Sequence, residues 1–235
     1  MSLNMDFTQR VVIDSESLDW DPSRLPGVER RKLEREAPES GRATTLVRYA
    51  PDSHFSPHTH TGGEEFLVLE GVFSDETGDF GPGCYVRNPI GSTHRPHSDE
   101  GCVIFVKLGQ FDPKDTEFIR VNTADAPWKP GLVDGLSVMS LHEFGTEHVA
   151  LAKWAPGTQF TRHTSLGGEE IFVLDGVFED EHGRYPKGMW LRNPAGGVHT
   201  PFSTEGATLY VKTGHLVPGT GAKGEPEASF ATAAS

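Results

Sequence analysis

Two cysteines, Cys84 and Cys102, are the full thiol complement of this 235-residue chain, and they are not spaced as C-x-x-C. That usage excludes a disulfide-stapled scaffold and a four-cysteine zinc site. Both sit in apolar, strand-like segments and read as small buried hydrophobes. Positive charge is scarce as well: 21 Lys and Arg against 34 Asp and Glu give a formal net charge of −13. Such a balance argues against sequence-independent nucleic-acid binding, which needs cations to displace counterions from phosphates. The richest basic stretch, Glu29–Glu36 (ERRKLERE), mixes both signs and reads as a solvated surface segment. No apolar run nears the roughly 20 residues of a membrane-spanning helix, and no leader with a charged start and apolar centre is visible. A cytoplasmic protein with no membrane partner is the expectation. Also missing is any long segment with a 3.6-residue apolar period and helix caps.

What is present is repetition. An offset of 105 residues, the spacing of His58 and His163, holds without a gap from Pro51/Pro156 to Gly109/Gly214. About half of the paired positions are identical, far more than two unrelated β segments would share. GGEEFLVLEGVFSDE from Gly62 answers to GGEEIFVLDGVFEDE from Gly167, and Arg87-Asn88-Pro89 answers to Arg192-Asn193-Pro194. Each copy is a series of short strands separated by turn signals. Thr44–Tyr49, Glu65–Phe73, Cys84–Asn88 and Val103–Leu108 read as strands, with a bulge at Gly71 and a hairpin turn at Glu76–Asp79. The pattern is all-β, a duplicated sandwich or barrel. The expected divisions are a lead segment 1–16, a first unit 17–115, a second unit 116–216 and a loose Gly-, Pro- and Ala-rich tail 217–235.

Chemistry concentrates in Phe55–Gly71 (FSPHTHTGGEEFLVLEG). His58 and His60, two apart on a strand, project from one face. Glu64 follows the Gly62-Gly63 turn, and His94 arrives from a later segment; together they make a mixed nitrogen and oxygen metal site. A glutamate buried against apolar strands needs such a partner.

These residues resemble the cupin superfamily. Its first motif, HxH, three or four residues, Glu, six residues, Gly, is matched by His58, His60, Glu64 and Gly71. Its second, Gly, five residues, PxG, two residues, His, is matched by Gly83, Pro89, Gly91 and His94, with Ser98 where cupins often have Asn. GEEFLVLEGVFSDE, RNP and the strand around Val103–Leu108 look most like ChrR-type cupins. The resemblance covers roughly residues 40–215 and implies a bicupin of two tandem jelly-roll barrels. It also implies metal ligands His58, His60, Glu64 and His94 in the first barrel. In the second, His163, Glu169 and His199 match, but Ser165 stands where His60 does. A serine hydroxyl is a poor ligand beside imidazoles, so the second copy is either a three-ligand site or a degenerate one.

The implied cofactor is a divalent metal, zinc or iron first, with manganese or nickel open. Three functions follow: a metal-dependent oxygenase acting on a small carbonyl or phenolic compound; a sensing regulator related to the anti-sigma factor ChrR; or a small-molecule binding protein. ChrR binds its sigma factor through an amino-terminal domain with Cys and His ligands. No Cys or His precedes His54 here, which makes sigma-factor inhibition the weaker expectation. A small-molecule ligand or substrate is the expected partner, and homodimerisation through edge strands stays open. Outside the motifs, Glu65 and Glu170 alternate to the opposite strand face and read as exposed or as an interface between barrels. Arg87, Asn88, Arg192 and Asn193 read as structural. His54 and His97 read as surface loop, and His142, His148, His182 and His215 as surface.

Overall fold

The computed structural model describes residues 2–216; the expected loose tail lies outside them. Among the described residues the chain is almost entirely β, with a single 3-10 turn at Ser15–Ser17. No helix is long and apolar enough to cross a membrane. The chain divides into two compact units. One comprises Ser17–Ala126 with the residues up to Met5; the other takes the chain from Pro127 onward together with Asp6–Glu16.

In the first unit the main sheet orders its strands as Ile119–Asn122, Cys84–Asn88, Glu64–Gly71, Cys102–Leu108, Ala43–Tyr49, Val28–Arg35 and Asp21–Pro22. Short strands at Ser53–His54, His97–Ser98, Phe73–Asp75 and Gly78–Phe80 form the opposing layer. Alternation along Glu64–Gly71 sends Phe66 and Val68 inward to Phe73, Val86, Ile104 and Val106. Burying each such side chain contributes about 1.5–3 kcal/mol. The second unit repeats this with Ile171, Val173, Phe178, Leu191, Leu209 and Val211. The all-β jelly-roll architecture is therefore as the sequence indicates.

The bulge falls where Gly71 requires it. Val103 pairs with Glu70 but Ile104 with Val68, leaving Leu69 as the extra residue. Gly71 has φ +68°, and a Cβ there would sit 2.0 Å from the Gly101 carbonyl oxygen; no other residue fits. Gly176 repeats the arrangement in the second unit, with φ +71° and 2.1 Å to Gly206.

Several surface expectations fail for one reason: faces turned away from the barrel interior are also covered. Glu29–Glu36, expected as a solvated segment, falls in the strand Val28–Arg35 save for the exposed Glu36; Leu33 and Glu34 are fully buried, Glu34 accepting from Arg42 Nε at 2.7 Å. Glu65 is buried rather than exposed and is bonded by Tyr85 at 2.6 Å and Arg87 at 2.7 Å. Arg87 also reaches Asp115 at 2.6 Å. Glu170 is equally buried and meets His215 at 2.8 Å. His215 and His142, expected at the surface, are buried side chains. A buried charge keeps its ionised form only with such partners. His54 and His97 pair across two short strands with stacked rings, centroids 5.5 Å apart.

The lead strands are exchanged between repeats. Val11–Asp14 precedes the first repeat, yet it lies antiparallel to Met189–Asn193 of the second unit, Val11 opposite Arg192. Ile119–Asn122, which leads the second repeat, lies against Cys84–Asn88 of the first unit, Ile119 opposite Arg87. The two registers are equivalent under the 105-residue offset. Each repeat thus gives its first strand to the other. While Glu169–Phe172 stays paired on one edge, removal of residues 1–16 is expected to strip Met189–Asn193 of its partner on the other. Amide hydrogen exchange should accelerate there, while Cys84–Asn88 stays protected by Ile119–Asn122. Equal loss of protection in both segments would contradict the exchange.

Candidate metal centres

Two short β ribbons carry the histidines. In the first unit His58–Thr59 pairs with Thr93–His94, His58 directly opposite His94. Period two then puts His60 on the face of His58. Glu64 starts the next strand and faces Asn88 in register. The sequence-nominated residues therefore come together. His60 Nε2 lies 2.9 Å from His94 Nε2, and Glu64 Oε2 lies 3.3 Å from the former and 3.6 Å from the latter. The ligand atoms of His58, His60 and His94 all fall within 4.8 Å of one another. His58 is exposed, whereas His60, Glu64 and His94 are buried.

Outer bonds fix which ring atoms point inward. His58 Nδ1 is 3.3 Å from the Ser56 carbonyl, and His94 Nδ1 is 3.2 Å from Asp75 Oδ2. With Nδ1–H donated outward, each Nε2 presents a lone pair to the centre. Asn88 Nδ2 donates to Glu64 Oε2 at 3.0 Å, and Arg120 donates to Asn88 Oδ1 at 2.7 Å. Burial pushes the His60 pKa down, with Glu64 pulling the other way. Burial would also lower His94, but Asp75 and Glu64 outweigh it and raise it. Asp75 stays at about 2 despite its burial because His94 and Thr77 bond its carboxylate.

The second unit keeps the frame with one ligand fewer. His163 sits opposite His199 on the ribbon, their Nε2 atoms 3.2 Å apart, and His199 Nε2 is 3.1 Å from Glu169 Oε2. Asn193 Nδ2 donates to Glu169 Oε2 at 3.1 Å. Asp180 Oδ2 faces His199 Nδ1 at 3.6 Å. Arg10, immediately before the exchanged lead strand, donates to Asn193 Oδ1 and to Asp180 Oδ2, each at 2.9 Å. Burial would lower His199, but Glu169 and Asp180 hold it up at about 10, whereas burial lowers His163. Glu169 is lowered because His199, His163 and Asn193 outweigh its burial.

Both donor sets fit a divalent cation. Imidazole nitrogens and a carboxylate oxygen held close together are the ligands such ions take, the ion displacing any proton they carry. In the second unit Glu169 Oε1 and Ser165 Oγ are buried with no hydrogen-bond partner. Unmet polar groups of this kind cost about 1–3 kcal/mol each, and a bound cation and its ligand would relieve them.

The sequence reading missed the outer supports. Asp75 and Asp180 were legible in principle, since both copies keep the carboxylate at the 105-residue offset. Arg10 and Arg120 were not. They leave the exchanged strands two register positions apart, yet both reach the equivalent asparagine and lie over the equivalent ring, Tyr185 at 5.4 Å and Phe80 at 5.5 Å.

A family model described as ChrR Cupin-like domain matches the chain twice, at residues 8–112 and 116–217. Comparison with curated protein sequences gave no match. Among solved structures, one provisionally named a dioxygenase, from Nostoc punctiforme, aligns with a TM-score of 0.76 and 17% identity, covering 89% of this chain and 84% of its own. Oxalate decarboxylase from Lactobacillus farciminis, in a formate complex, gives 0.62 and 14%, covering 87% and 86%. The 7S globulin of Momordica charantia gives 0.58 and 13%, covering 86% and 84%. At these identities the likeness is one of fold.

In metal-free protein the His199 proton is expected to titrate near pH 10 and the His163 proton below its usual value, as read by imidazole nitrogen NMR. The sign for stability follows. A raised histidine pKa contributes stability in full below the unfolded value of about 6.5, and that contribution is lost as pH rises through about 10. Asp180→Asn should lower the His199 pKa and flatten that decline; an unchanged titration would contradict the pairing.

Proposed function

The chain belongs to the ChrR cupin-like family across both repeats, and on that premise we propose that it is a metal-dependent, oxygenase-type enzyme. Its working centre is in the first unit, with His58, His60, Glu64 and His94 as ligands of a divalent ion, zinc or iron before manganese or nickel. The substrate class is a small carbonyl or phenolic compound. His163, Glu169 and His199 are the corresponding ligands of the second unit. The observation that carries this reading is the convergence of His60 Nε2, His94 Nε2 and Glu64 Oε2 within 3.6 Å, with His58 beside them.

When bound, the ion supplies Lewis acidity and a template for a carbonyl or phenolate oxygen. The chain supplies the rest. Asp75 orients His94, while Asn88 and Arg120 hold Glu64 in line, so the donor set is arranged before any ligand arrives. Glu64 is placed to accept a proton from an acidic C–H or phenolic O–H of the substrate. Solvent access is through the His58 side, since the other three donors are buried. The fold likeness to proteins named as a dioxygenase and a decarboxylase supports an enzyme over a regulator.

Elemental analysis of protein purified without chelators should find about two ions per chain, one for each unit. His58→Ala with His60→Ala should leave one ion and remove the first unit's. Asn88→Ala should weaken its binding about 10- to 100-fold, the usual effect of losing an outer support. Undiminished metal in the double variant would refute the ligand assignment. Iron-loaded protein should consume oxygen with a member of a diketone and dihydroxyphenyl-ketone panel; binding without any uptake would make it a small-molecule binding protein instead.

A further inference from the structure

The second unit differs from the first at one of the candidate ligand positions. Ser165 occupies the place of His60 on the inward face of its ribbon, paired with Gly197 and two residues from His163. Its side chain is 1% exposed, and its hydroxyl has no hydrogen-bond partner. Next to it, Glu169 is fully buried with Oε1 likewise unpartnered, although Asn193 and His199 engage Oε2. Unpartnered buried polar atoms in a native core ask for a missing partner, an ion, a water or a ligand.

We infer that the second unit is a receptor for a small carboxylate of formate or acetate size, bound to a metal held by His163, Glu169 and His199, with Ser165 Oγ donating to the carboxylate. The inference rests on the proposed metal centre of that unit.

Three physical considerations lead to it. Two histidines and one carboxylate leave a first-row ion with positions for exogenous ligands. Serine is smaller than histidine by about four heavy atoms, and a hydroxyl is a donor where an imidazole nitrogen would have been an acceptor. The difference in side-chain size therefore matches a three- or four-heavy-atom anion, and the donor matches its oxygen. Charge agrees: the ion's two positive charges and Arg10 exceed the negative charges of Glu169 and Asp180, with Arg10 tied to Asp180 at 2.9 Å. An anion is thus favoured over a neutral ligand at that position. The first unit differs here, because His60 fills the same position and already lies 2.9 Å from His94. The two units then differ in what they accept, the first needing a substrate that takes the remaining positions and the second an anion that replaces a ligand.

The test uses the full chain with His58→Ala and His60→Ala, so that only the second unit can hold an ion. Cobalt(II) is the probe, read by its visible absorption and by stoichiometry, and sodium formate is the titrant. The expected result is one cobalt per chain and a saturable spectral change with formate. Adding Ser165→Ala should keep the cobalt and weaken formate about tenfold, the loss of one hydrogen bond. Adding Ser165→His should tighten cobalt at least about tenfold and abolish the formate response, because the fourth protein ligand returns. Cobalt bound with no formate response, or a formate response that survives Ser165→His, would overturn the inference and leave the metal centre standing. No cobalt bound at all would overturn the metal centre of the second unit, and the inference with it.

Discussion

Nitrogen and oxygen atoms of His60, His94 and Glu64 crowded within 3.6 Å of one another are the constraint on which this molecule turns. His94 Nδ1 faces Asp75, so its Nε2 is left as an acceptor, 2.9 Å from His60 Nε2 and 3.6 Å from Glu64 Oε2. Acceptors at that separation repel unless a proton or a cation sits among them. Every outer contact holds the repelling atoms in place rather than relaxing them. Asn88 holds Glu64, Arg120 holds Asn88, and the bonds from Thr77 hold Asp75. The jelly roll is a rigid support for this arrangement, with its apolar strands behind the site and its ribbons at the mouth.

Duplication makes the same constraint appear twice, and the exchange of lead strands joins the copies. Arg10 immediately precedes the chain's first strand but serves the second centre through Asn193 and Asp180. Arg120 comes from the strand that opens the second repeat but serves the first centre through Asn88. Each centre is therefore completed by a residue that the repeat boundary in sequence assigns to the other copy. The family model follows sequence and breaks at 112 and 116, whereas compact folding places residues up to Ala126 in the first unit and Asp6–Glu16 in the second.

How much of this was legible in the sequence depends on the range of the signal. Strand alternation and turn residues act locally, so Cys84–Asn88 was readable to the residue and Ala43–Tyr49 to within one. The proximity of the candidate residues was legible because spacing of two on a strand and a repeated motif fix a face. The exposed reading failed for Glu65 and Glu170 because strand alternation does not show what covers the outer face; Tyr85 and His215 cover it from distant sequence. Glu29–Glu36 was misjudged because mixed charge was read as exposure. Arg10 was invisible for a related reason: a strand exchange is decided by pairing energy between remote segments, and residues 1–16 carry no local mark of their partner. The Ser165 departure was visible at once, but its meaning needed the burial of its hydroxyl.

The most direct test of the central claim is anomalous scattering from metal-loaded crystals collected at the absorption edge of the bound ion. A peak is expected in the first unit shared by His60 Nε2, His94 Nε2, Glu64 Oε2 and the His58 ring, with the Asp75 and Asn88 bonds intact. A peak bound elsewhere, with these four side chains turned apart, would contradict it.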